Sequence, residues 1–294
     1  MPGGRGLWSN IIRVAKAQPL AAIGAIIVLA LSVIAVFGPW IAPYSPLQSH
    51  GGDRLVGPSG KYLFGTDNLG RDQFSRLVIA TRAALTIAIV SVLIGSIVGA
   101  LIGLASGYWG GVRDLVIQRI MDALLAIPTL ILALAMVTVL GPSDSNVGIA
   151  ITVLTVPVAN RLVRATTLSV KNEIYIEAAA ALGASSWRIM GRHIAPNTLG
   201  PLIALVTNQI PSAIITAASL SFLGLGTPPP APSWGTMLSV AVQQYARLGP
   251  WLAISTGGVI FVTVLSFTAI GDALGDLMDP RLRSARRYGP VPKI

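Results

Sequence analysis

Few residues in this 294-residue chain are of types that do chemistry, and their spacing argues against most reactions. Cysteine is absent, so thiolate catalysis, disulfides and thiolate metal ligation are excluded. The two histidines, His50 and His193, lie far apart without evident ligand partners, so no metal centre is expected. The nearest approach to a phosphate loop is Gly57-Pro-Ser-Gly-Lys61. It lacks the required first glycine and places Tyr62 where a Ser or Thr must hold magnesium. Nucleotide hydrolysis, if the protein depends on it, is therefore expected on another polypeptide. Asp272, Asp276 and Asp279 cluster before Pro280 and read as an interfacial helix end. The apolar stretches carry no nucleophile with a base and no metal pair. They also lack the mid-membrane carboxylates, lysines or histidines that proton- or sodium-driven carriers use.

Two polar strings remain. In Gly65–Arg76, GTDNLGRDQFSR, the charges Asp67, Arg71, Asp72 and Arg76 are spaced by four, one and four residues. As a solvated amphipathic segment its local ion pairs are each worth about 0.2–0.5 kcal/mol. In Glu173–Pro196, EIYIEAAAALGASSWRIMGRHIAP, Glu177, Ala178 and Ala179 open a run of helix formers that reaches Leu182. Gly183 can end that helix and turn the chain. A second short helix from about Ser185 to His193 carries Trp187, Arg188 and Arg192, and Pro196 restarts the chain. The product is a two-helix knob with a small-residue face, suited to a groove on another protein.

What must position these strings is apolar. Hydrophobic residues make up 53% of the chain, charged residues 11%, and the mean hydropathy is +0.72. A soluble domain carries about 25% charged residues, so the expected class is an all-α, multi-pass membrane protein. Six spans are expected: Leu20–Trp40, Ala83–Gly107, Ala123–Leu140 with Pro128 as a kink, Val147–Val163, Leu199–Leu220 and Gly249–Ile270. Tyr108–Asp122 reads as a polar bend. Ser221–Leu238, SFLGLGTPPPAPSWGTML, reads as a loop forced by its prolines. Gly95, Gly99, Gly103 and Gly107 fall on one helix face, and a backbone can approach closely there. The approaching helix belongs either to this chain or to a second subunit. The chain thus divides into residues 1–82 (tail, first span, outer segment), a five-helix core 83–280 with the polar loop 171–198, and a basic tail 281–294.

Charge fixes the orientation. With the N-terminus inside, the inner segments hold 15 of the Lys and Arg residues. The outer ones hold six: Arg54, Lys61, Arg71, Arg76, Arg82 and Arg247. That bias puts both termini and the Glu173–Pro196 knob in the cytoplasm. The net charge of +10 is spread over loops beside apolar spans, so it orients the chain in a membrane and does not mark a nucleic-acid surface.

Several strings together resemble the permease subunits of dipeptide/oligopeptide ABC importers, of the second, shorter kind. Glu177-Ala178-Ala179, Gly183, Ile194 and Pro196 are similar to the family's EAA loop, with Ala195 where Leu is usual. Gly65-Thr66-Asp67, Gly70-Arg71-Asp72 and Ser75-Arg76 resemble an extracytoplasmic signature that follows the first span. Phe222, Leu223, Gly224, Pro229 and Trp234 belong to a third matching string, and Gly271–Arg281 to a fourth. The resemblance implies a type I importer permease in the cell membrane of a prokaryote, working by alternating access. It implies a second permease, two ATPase subunits that bind ATP and magnesium, an extracytoplasmic substrate-binding protein and a peptide cargo, with no cofactor on this chain. It also implies that Glu177, Ala178, Ala179, Leu182, Gly183, Ser185, Arg188, Arg192 and Pro196 couple to the ATPase. The Phe222–Trp234 string would form an outer gate or a binding-protein contact. Nickel, glutathione and some oligosaccharide importers share these strings, and a self-contained secondary carrier is the reading from a different class.

Overall fold

The computed structural model describes residues 18–278, so the basic tails, including Asp279 and Arg281, lie outside the described residues. All the regular structure among them is helical. The helices are α1 (Pro19–Ile41), α2 (Gln73–Trp109), α3 (Gly111–Ala126), α4 (Thr129–Leu140) and α5 (Asp144–Lys171). They continue with α6 (Ile174–Ala181), α7 (Ser186–Ile189), a π turn (Met190–Ile194), α8 (Ala195–Phe222), α9 (Trp234–Gln244) and α10 (Pro250–Met278). Five helical stretches are long and apolar enough to cross a membrane. A sixth crossing exists only if α3 and α4 are taken together.

That pair corrects the expected third span. The chain breaks at Ile127–Pro128 and the two helices meet at 94°. Ile127 is extended, with φ −88° and ψ 130°, because the ring of Pro128 disfavours the helical region for the residue before it. Pro128 therefore ends one helix and starts another, and the segment read as a polar bend is the helix α3. The helices also outrun the expected spans. At 1.5 Å per residue the 37 residues of α2 cover about 55 Å, so its ends stand in water beyond a hydrocarbon core of about 30 Å. The boundary drawn at Arg82 consequently falls inside α2, which begins at Gln73 under an Asp72 cap. Likewise α9 starts inside the stretch read as loop.

The four glycines settle which backbone approaches them. A Cβ on Gly95 would sit 2.6 Å from the Thr152 carbonyl oxygen, on Gly99 2.3 Å from that of Val156, and on Gly103 2.5 Å from that of Asn160. All these oxygens belong to α5 of the same chain. The stripe therefore serves internal packing, and close backbone contact takes the place of the hydrophobic drive that lipid removes. Around this seam Leu85, Val92, Val137, Ile151, Ile214 and Leu220 form the buried core.

Both described chain ends lie at the α6–α7 end of the bundle, where Gln18 Nε2 donates to Asp276 Oδ2 at 2.9 Å. At the opposite end the segment 44–72 packs on the starts of α2 and α10, the Tyr44 N–H donating to Ser75 Oγ at 3.1 Å and Trp251 Nε1 to Thr66 O at 3.5 Å. Gly99→Ala is expected to lower stability by about 1–3 kcal/mol through overpacking, read as thermal unfolding in detergent. Gly258→Ala, where a Cβ meets no atom within 4 Å, is the control expected to stay near wild type.

Candidate functional site

The knob is built by its backbone. Gly183 has φ +82°, its N–H donates to Ala180 O at 2.9 Å, and the Ala184 N–H donates to Ala179 O at 3.1 Å. These two bonds are the Schellman arrangement, which closes α6 and needs glycine at the left-handed position. Ser185 then caps α7, accepting from the Arg188 N–H at 3.4 Å. One face of the knob is sealed: Ile176, Ile189 and Ile194 are buried against Leu104, Tyr108 and Val170 at the ends of α2 and α5. Lys171 Nζ adds a bond to the Tyr108 carbonyl at 2.5 Å, and Trp187 meets Trp109 edge to face at 5.4 Å.

The other face is open. Glu177, Ala178, Gly183, Ser185, Arg188, Arg192 and Pro196 are exposed and Ala179 is half-buried. Leu182 is 89% exposed, Ile174 83% and Trp187 73%. Three large apolar side chains in water beside two arginines form a surface with the character of an interface. Ile174 was not singled out from the sequence, although an apolar residue in a polar loop was the available signal.

Pro196 does not restart the chain as expected. Ser186–Phe222 is one continuous helix, and the π turn Met190–Ile194, in which the Ala195 N–H bonds Met190 O, absorbs the bond the proline cannot make. The knob's second helix, α7, is therefore the N-terminal end of the rod that continues as α8. Some 20 residues further along that rod, about 30 Å away, Gln209, Ser212 and Thr216 line a cleft of about 240 Å³. Thr129 and Ile127 at the α3–α4 elbow and Thr155 and Pro157 of α5 complete its wall. Its lining residues include polar groups but no charge. Broken or proline-bearing helices at membrane depth are tolerated where they line such a cavity. The sequence could not reveal these residues, because the rotation of each helix is set by its neighbours. Arg164, bonded to Asp114 at 2.6 and 2.7 Å, and Arg161, bonded to Asp122 at 2.9 Å, tie α5 to α3 on the knob side.

At the far end the signature folds on itself. Asp67 Oδ1 accepts from the backbone N–H groups of Leu69 (2.8 Å) and Arg71 (2.9 Å), and Oδ2 accepts from Arg71 Nε at 2.6 Å. Arg76 Nε lies 3.8 Å from the same Oδ2. Asp72 Oδ2 accepts from the Ser75 N–H at 2.8 Å and caps α2. Gly70 is buried within this turn, with φ +73°. These are buried contacts, where the spacing alone suggested solvated pairs. In the third string Leu223, Gly224 and Pro229 are exposed and Phe222 is half-buried, while Trp234 is buried and its indole donates to Leu77 O at 3.3 Å.

Comparison with known proteins places this geometry. Residues 99–284 match the model of the binding-protein-dependent transport system inner membrane component, and residues 6–58 match the N-terminal TM domain of oligopeptide transport permease C. The chain belongs to this transport family. The dipeptide transport system permease protein DppC of Alkalihalophilus pseudofirmus is 41% identical over 277 residues, covering 94% of this chain and 91% of the relative. The glutathione transport system permease protein GsiD of Pectobacterium atrosepticum is 41% identical over 281 residues, covering 95% and 92%. A chain of the MetNI methionine ABC transporter, solved in inward-facing conformations, shares the fold with a TM-score of 0.53 and 19% identity, covering 68% of this chain and 96% of that one. The protein is thus a multi-pass membrane permease component of the type I importer fold.

The buried signature makes a stability prediction. Asp67→Ala strands two largely buried guanidinium groups and is expected to cost about 3–5 kcal/mol. Breaking the exposed Lys61–Asp53 pair by Lys61→Ala is expected to have a far smaller effect. Parallel thermal melts of the two variants check this.

Proposed function

We propose that this chain forms half of the translocation path of an ATP-driven importer for dipeptides or short oligopeptides in a prokaryotic cell membrane. A second permease supplies the other half, two ATPase subunits bind and hydrolyse ATP with magnesium, and an extracytoplasmic binding protein delivers the cargo. The observation that carries this reading is the continuity of the exposed knob with α8, which lines the uncharged cleft.

The mechanism follows from that continuity. Closure of the ATPase pair pushes on Leu182, Trp187 and the exposed side of α6. Because α7 and α8 are one rod, the push arrives at Gln209, Ser212 and Thr216 without a hinge, and the buried isoleucines carry it to α2 and α5 as well. The permease exchanges outward and inward access because the ATP-bound ATPase pair favours one of the two states. Polar but uncharged walls suit a zwitterionic peptide, since hydrogen-bonding groups hold it without a fixed charge that would trap it. Peptide cargo is supported by the dipeptide relative. The glutathione relative, at equal identity, supports the alternative of glutathione.

Gly183→Pro removes the N–H bonded to Ala180 and forbids a φ of +82°; Glu177→Arg reverses the charge on the open side of α6. Each variant is expected to insert normally yet lose transport by about 5–150-fold relative to its ATP hydrolysis, the range of typical coupling free energies. The measurement is ATPase activity and uptake by the complete complex in vesicles with binding protein, given dipeptides, then glutathione. Normal coupled transport by both variants would refute the coupling role, and stimulation by glutathione alone would change the cargo.

A further inference from the structure

The outer end of the bundle holds a built charge site that coupling does not use. Asp67 is the carboxylate that faces both Arg71 and Arg76, and its oxygens already accept two backbone N–H groups and Arg71 Nε. Asp72 directs Oδ2 to Ser75. Asp72 pairs with neither arginine and its Oδ1 is buried without a hydrogen-bond partner, so the four charges of the turn balance in number while the Asp67–Arg71–Arg76 cluster by itself carries one net positive charge. The Arg71 side chain is only 16% exposed and that of Arg76 7%. Arg76 Nη1 donates to Pro46 O at 2.9 Å. Among the described residues Arg76 Nη2 and both terminal nitrogens of Arg71 have no hydrogen-bond partner. Both arginines line a cleft of about 110 Å³ together with Asp67, Pro229, Pro230 and Ala231. Two guanidinium groups held rigid, partly desolvated and short of an anion make a strong bidentate receptor for a carboxylate.

Size and place narrow the source of that carboxylate. The cleft admits one acidic side chain and is too small for a whole peptide. Its mouth is formed by exposed loop residues, remote along α8 from the knob. The outer segments as a whole carry six basic residues against four acidic ones (Asp53, Asp67, Asp72, Asp144), so they attract an acidic surface. We propose that Arg71 and Arg76 receive an Asp or Glu side chain of the extracytoplasmic binding protein, seated between the Asp67 turn and Pro229–Ala231. This rests on the importer reading above, and it assigns to the signature a docking role beyond the ion pairs that fold it. Insertion of the carboxylate would bring together the loops before α2 and after α8, the two helices that reach down to the knob.

The test uses the complete complex in lipid nanodiscs and its purified binding protein, with association followed at several salt concentrations. Arg71→Gln is expected to weaken binding by about tenfold or more and to flatten the salt dependence of the on-rate. Ala231→Phe fills the cleft while leaving both arginines and Asp67 in place, and is expected to weaken binding comparably. Neutralising the binding protein's acidic residues one at a time should find one whose loss weakens binding to the wild-type complex but not to Arg71→Gln. Unchanged affinity and salt slope in both variants would overturn the proposal. So would weakening by Arg71→Gln alone, which would trace the effect to loop folding, or the absence of any coupled acidic residue. If the binding protein fails to bind the wild-type complex at all, the importer reading itself fails, and the two failures are thereby told apart.

Discussion

The close approach of α2 and α5 is the contact on which the rest of the bundle depends. In lipid no hydrophobic drive pulls two apolar helices together, so packing must come from backbone surfaces that meet. Gly95, Gly99 and Gly103 allow this by leaving no room for a side chain against the carbonyls of Thr152, Val156 and Asn160. Once α5 is seated, its polar inner half can reach α3 through Arg161 and Arg164. Its other face can line the cleft with α8. The knob then rests on the paired ends of α2 and α5, so the same seam that builds the core also provides the footing for the proposed coupling surface.

Prolines set the second constraint, and their effects differ by site. Pro157, Pro201 and Pro211 stay inside helices, whereas Pro128 stops one. Pro196 is accommodated by a π turn that keeps α7 and α8 in one rod. The difference at Pro128 lies in the residue before it, since Ile127 has left the helical region and the chain turns there. A chain in water could leave a carbonyl freed by a proline ring to solvent, but a chain in lipid must satisfy it locally. The irregular positions gather accordingly around the cleft and at the knob.

This explains what the sequence could and could not disclose. Helical class, five of the six long apolar stretches and the two-helix knob with its turn at Gly183 were readable, because each rests on local preference. The glycine stripe was visible as a face, but periodicity names a face and not its neighbour, so its partner α5 was not. The elbow at Pro128 was read as a kink because the local signal is the same at every proline in a span. Asp67 and Arg71 sit at a spacing that suggests a weak solvated pair. Their burial comes from residues far away in the chain, Pro229, Pro230 and Met237 among those that share their cleft. Trp234 entered the gate or binding-protein-contact string only through the family resemblance, and its burial, with the indole bonded to Leu77 O, depends on α2, which lies far away in the chain.

The arrangement of the long helices bears on how the two ends communicate. α2 begins at the signature turn and ends beneath the knob, and α8 begins in the knob and ends at the Phe222–Trp234 string. Each helix therefore touches both ends, and the two run in opposite directions through the same core. A displacement of the knob cannot move one outer loop alone, because α2 and α8 are packed together and both are stiff over their length. The motion such a structure can make without unfolding is a rotation of the packed unit against whatever faces the cleft. Interfaces and cores of this density switch between discrete packings and do not deform continuously. An uncharged cleft fits that kind of motion, since a fixed buried charge would need a new partner each time the wall turned. Charge is instead concentrated at the two ends, where water and other proteins can answer it.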